Sequence, residues 1–225
     1  MRVRWCAVTA TLPVPAALDR PVWRGWLHTA AFLAAIPFGA ILVVMADGAA
    51  ATVASVIYIV TVLVGFGTSA AYHRLARSPR ARTIMQRLDH SAIYLLIAGT
   101  YVPVCLVALP PAWGIPLLAG VGVGAAVGIT LMLAAFGRVR WLSYSLYPIL
   151  GWSAIVATPA LVTHLTPLQL GLVVAGGVAY TVGFPVLLTR RPDPWPRTFG
   201  YHEVWHAFTV VAAVLHFSAV ASLVA

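Results

Sequence analysis

The chain has 225 residues, of which 61% are hydrophobic and 8% charged, with a mean hydropathy of +0.94 and a formal net charge of +9. A water-soluble domain carries roughly 25% charged residues, so this composition excludes a fully water-facing surface and implies an integral membrane protein. The positive charge does not imply a nucleic-acid partner: the basic residues are fourteen arginines and no lysine, in short clusters between apolar runs, which membrane topology explains better than a phosphate-binding face.

The N-terminal stretch MRVRWCAVTATLPVPAALDR starts positively charged, but Pro13 and Pro15 interrupt its apolar part. It reads as a cytoplasmic tail, residues 1–26, rather than a cleaved signal peptide. Residues 27–225 then form a single transmembrane domain. A helix needs about 20 apolar residues to cross a bilayer, and seven runs qualify: Leu27–Ala46, Ala51–Tyr72, Ser91–Leu109, Ile115–Phe136, Trp141–Val162, Leu168–Leu188 and Val204–Val224. Pro148 and Pro159 should kink the fifth run without ending it. Cys6 lies in the tail and Cys105 in an apolar run, so the two thiols do not suggest a disulfide framework. The fold class is therefore all-α, a seven-helix membrane bundle.

The arginines orient it. Arg2, Arg4, Arg20 and Arg24 precede the first run. Arg74, Arg77, Arg80, Arg82 and Arg87 lie between the second and third, Arg138 and Arg140 between the fourth and fifth, and Arg190, Arg191 and Arg197 between the sixth and seventh. All fourteen fall on one side, which the positive-inside rule makes cytoplasmic. The expectation is a multi-pass protein of the inner (plasma) membrane, N-terminus inside and C-terminus outside. Trp23, Trp26, Trp113, Trp141 and Trp195 sit near run ends, as interfacial aromatics do.

Ionisable side chains within spans are costly and invite a functional explanation. GYHEVWHAF, Gly200 to Phe208, places His202 and His206 four residues apart on one helix face, where both can reach one metal ion. Ser69 and His73 are also four apart at the end of the second run, and Asp89 begins the third. The topology brings all five to one membrane depth from three helices. Asp89 could alternatively cap a helix N-terminus, and Ser69 could be an ordinary packing residue. Three imidazoles make the usual open zinc site, His73, His202 and His206, with a position left for water whose pKa zinc lowers. Asp89 could take that water's proton or orient a histidine, and Ser69 could hydrogen-bond a bound carbonyl oxygen or the water. His28 and His90 read as interfacial residues, and His164 lies in an outer loop. His216 lies about 15 Å deeper than His206 at helical rise, too far to share the ion.

Four stretches, RPVWRGWLHTAAF, SAAYHRLARS, RLDHSAIYLLIAGTYVPVCL and GYHEVWHAF, resemble the hemolysin III family. This is the bacterial branch of the progestin and adipoQ receptor family, which includes the adiponectin receptors. The resemblance runs from about Pro21 to the C-terminus. It implies seven helices with a cytoplasmic N-terminus, and zinc held near that face by His73, His202 and His206. Ser69 and Asp89 match the family's serine and aspartate. It also implies kinship with membrane hydrolases such as the alkaline ceramidases, hence hydrolysis of a lipid amide or ester.

His-Glu-x-x-His is also the signature of zinc peptidases, where the Glu is the general base. Glu203 points off the ligand face by about 100°, as it does in those enzymes, so an intramembrane protease stays a less favoured alternative. The others are a sensor or receptor with structural zinc, and a membrane-lytic hemolysin-type protein.

Overall fold

The computed structural model describes residues 20–138 and 140–225. The tail reading for residues 1–19, with Cys6, lies outside the described residues. Eight α-helices follow in order: α1 (Trp26–Met45), α2 (Gly48–Leu75), α3 (Pro79–Pro103), α4 (Pro111–Ala134), α5 (Arg140–Gly151), α6 (Thr158–His164), α7 (Pro167–Thr189) and α8 (Tyr201–Val224). A π-turn, Val104–Ala108, extends α3, and a 3₁₀ turn, Ser153–Ala157, links α5 to α6. Counting α5 through α6 as one passage, seven stretches among the described residues are long and apolar enough to cross a membrane.

Local chemistry sets the helix starts. Proline opens α3, α4 and α7, where its missing N–H would be unpaired in any case. The Ser78 hydroxyl accepts from Ala81 N at 3.1 Å. Thr166 and Gln169 form a reciprocal capping box before α7.

Two expectations need correction. The fifth passage is interrupted, not merely kinked: α5 stops at Gly151, the chain tightens into 3₁₀ geometry, and Pro159 lies at the first turn of a new helix. The helix carrying Asp89 begins at Pro79, not near Ser91. Asp89 therefore lies inside a continuous helix and Ser78 is the cap, which removes the capping explanation for this carboxylate. The polar stretch RTIMQRLDH hid those turns from a search for apolar runs.

Exposed Val, Leu and Ile side chains cover the outward faces, Val44 at 85% among them, as helices surrounded by lipid require. Inside, Leu42, Tyr58, Val62, Phe66, Val220 and Val224 join α1, α2 and α8. Tyr94, Ala125, Met132, Tyr147 and Leu150 join α3, α4 and α5.

The segment before α1 folds back across the arginine-rich end. Val22 N and Trp23 N donate to Arg197 O and Thr198 O, each at 3.1 Å, and an Arg20 guanidinium nitrogen donates to His73 O at 3.1 Å. Gly25 makes this approach possible. Its φ of +80° is left-handed, and a Cβ there would lie 2.6 Å from His73 Cβ. Gly25→Ala should cost about 1–2 kcal/mol in backbone conformation alone, with the contact adding to it. A drop of several degrees in apparent Tm of the detergent-solubilised protein checks this, against no drop for Gly120→Ala, where a Cβ in mid-helix meets open space.

Candidate metal centre

Three helices end or begin where the polar groups gather. The last turn of α2 carries His73, and the first two turns of α8 carry His202 and His206. One donor atom from each of these histidines lies within 4.8 Å of the others. His73 Nε2 and His202 Nε2 are 3.1 Å apart. His73 and His206 are buried, and His202 is partly so. Asp89 Oδ2, from α3, is 4.0 Å from His73 Nε2, with Ser69 beside the carboxylate. The five residues singled out in the sequence thus share one site.

The donor chemistry suits a metal ion. On a tetrahedral zinc with Zn–N bonds of 2.0–2.1 Å, ligand nitrogens lie about 3.3 Å apart, close to the His73–His202 separation. His206 Nδ1 is buried without a hydrogen-bond partner, which is costly for a polar atom away from water.

Glu203 is fully buried and its two oxygens are engaged. Oε1 is 2.5 Å from Arg24 Nε, and Oε2 accepts from Gly200 N at 2.9 Å. It anchors the start of α8 to the segment ahead of α1.

His28 was expected at the interface and is instead buried in the site. Its Nδ1 is 2.8 Å from Ser69 Oγ and its Nε2 is 2.9 Å from Thr209 Oγ1. Its ring stacks on His206, with centroids 3.7 Å apart and planes at 13°. Thr209 also went unnoticed, although it continues the face of His202 and His206 at helical spacing. His28 had no such sign, being the one histidine of its helix. His90 is likewise no free interface residue: Tyr144 Oη is 3.0 Å from its Nε2, and its own Nδ1 donates to Gln86 O at 2.7 Å. His216 donates from Nε2 to Val173 O at 3.1 Å, tying α8 to α7.

Helix length and composition define a seven-helix membrane bundle, and the geometry clusters three histidines and a carboxylate at one end of it. The sequence profile of the Haemolysin-III related family matches residues 16–217. The chain is 34% identical over 193 residues to "Hemolysin-3" of Bacillus cereus, covering 84% of this chain and 85% of that one. It is 31% identical over 186 residues to a "Hemolysin-3 homolog" of Bacillus subtilis (strain 168), covering 81% and 84%. It is also 31% identical over 182 residues to "Heptahelical transmembrane protein ADIPOR2" of Oryza sativa subsp. japonica, covering 73% and 79%. The chain belongs to the hemolysin III family.

Because Glu203 is buried beside Arg24, removing the cation is worse than removing the anion. Arg24→Met leaves an unpaired buried carboxylate and should cost about 3 kcal/mol. Glu203→Gln leaves a neutral acceptor for Gly200 N and a guanidinium that can turn toward water, and should cost clearly less. Thermal unfolding of the two variants in one detergent checks the order.

Proposed function

We propose that the chain is a zinc-dependent hydrolase of a lipid amide or ester. The observation that carries the reading is the buried trio His73, His202 and His206, with ligand-like spacing and an unpartnered ring nitrogen, beside the carboxylate of Asp89. Held by those three imidazoles, zinc would supply Lewis acidity and bring the ionisation of water toward neutral pH.

The remaining roles fall to the chain's own groups. Asp89 Oδ2 takes a proton from water and returns one to the leaving amine or alcohol, the ordinary work of a positioned carboxylate. Ser69 hydrogen-bonds that carboxylate and fixes its direction. The site lies within two turns of the ends of α2 and α8, which suits the amide or ester linkage of a lipid, between headgroup and acyl chains. The arginine distribution makes this the cytoplasmic face, with the N-terminus inside.

The protease alternative loses support, because the carboxylate it would use as base is bound to Arg24 and Gly200 N. Likeness to the rice heptahelical protein favours a second reading, a ligand-responsive membrane protein whose metal is structural.

The deciding experiment is elemental analysis of purified protein beside a lipid-amide hydrolysis assay. About one zinc per chain is expected, lost in His73→Ala and His202→Ala. Asp89→Asn should keep the metal and lose turnover. Zinc retained with no hydrolysis of ceramides, other N-acyl lipids or lipid esters in the wild type would favour the structural-metal reading. A folded wild type without metal would sink the hydrolase.

A further inference from the structure

His28 lies outside the histidine trio, yet it touches three residues of the site. It enters from α1, its ring lies flat against His206, and its two nitrogens reach α2 and α8 through Ser69 and Thr209. A buried imidazole with both nitrogens satisfied and one face stacked has no rotational freedom left.

A neutral imidazole donates from one nitrogen and accepts at the other. Ser69 Oγ lies against Nδ1 and Thr209 Oγ1 against Nε2, and a hydroxyl can donate or accept, so both ring nitrogens of the neutral imidazole are held.

We propose that His28 is a positioning residue of the metal centre: its ring, held between Ser69 and Thr209, holds the plane of His206. This rests on the metal reading above.

The test compares wild type, His28→Ala and Thr209→Val as full chains in detergent. Zinc affinity is measured by chelator competition, and the cobalt(II)-loaded proteins are compared by visible absorption. Thr209→Val is nearly isosteric, so it folds even if His28→Ala does not. Loss of a group that orients a ligand typically weakens metal binding 10–100-fold. His28→Ala should fall in that range, and Thr209→Val should shift the same way by less. Both should alter the cobalt spectrum, which reports ligand geometry and is indifferent to a purely packing role. Variants that fold, bind zinc as wild type does and keep its cobalt spectrum would overturn the assignment and leave the metal centre standing. A wild type that binds neither metal would remove both.

Discussion

The Glu203 carboxylate sits at 0% exposure in a bundle surrounded by hydrocarbon. Burying an ionised carboxylate is prohibitive unless a cation and hydrogen-bond donors accompany it, and here Arg24 and Gly200 N provide them. Much of the arginine-rich end follows from that requirement. To reach Glu203, Arg24 must lie beneath the start of α8. That draws the preceding segment across the bundle, where Arg20 meets His73 O and the backbone of Val22 and Trp23 joins the loop before α8. One ion pair thus ties the helix that carries His202 and His206 to the segment that also contacts the helix carrying His73.

Around that anchor the polar side chains satisfy one another rather than water. Ser69, Thr209 and His28 form one connected set, and His73 and His202 face each other. His206 Nδ1 is left over. In a medium where unpaired polar groups are penalised, one unsatisfied nitrogen beside two other imidazoles is a structural argument for something absent from the polypeptide. It is independent of any relative's name. The hydrolase and structural-metal readings both accept this point and differ only in what Asp89 does.

Much of this was legible in the sequence, and the physical reason is simple. Apolar runs of bilayer length leave little freedom in helix number, and one-sided arginines leave little in their order. Ser69, His73, Asp89, His202 and His206 stood out because ionisable residues within spans are costly and these five aligned in depth. What stayed hidden were relations between elements with no periodic signature. His28 is one histidine at the start of an apolar run, and nothing local shows that its ring faces Ser69 and Thr209. The partner of Glu203 lies 179 residues away. The break between α5 and α6 depends on how the chain repacks around Pro148 and Pro159, which a tally of apolar residues does not register. Asp89 was placed at the right depth but on the wrong local structure, because the first turns of α3 are polar.

The stapling of the first helix to the last has a consequence for biosynthesis. His73 and His202 are separated by 129 residues, and Arg24 and Glu203 by 179. Chains are made and inserted from the N-terminus, so His28, Ser69, His73 and Asp89 all enter the membrane before any partner on α8 exists. Until that final helix arrives, the growing protein carries an incomplete cluster of polar groups inside the bilayer. The centre therefore matures only once α8 is in place, and a product truncated ahead of α8 would display those unsatisfied groups as a mark of its own incompleteness to any membrane protease that surveys them.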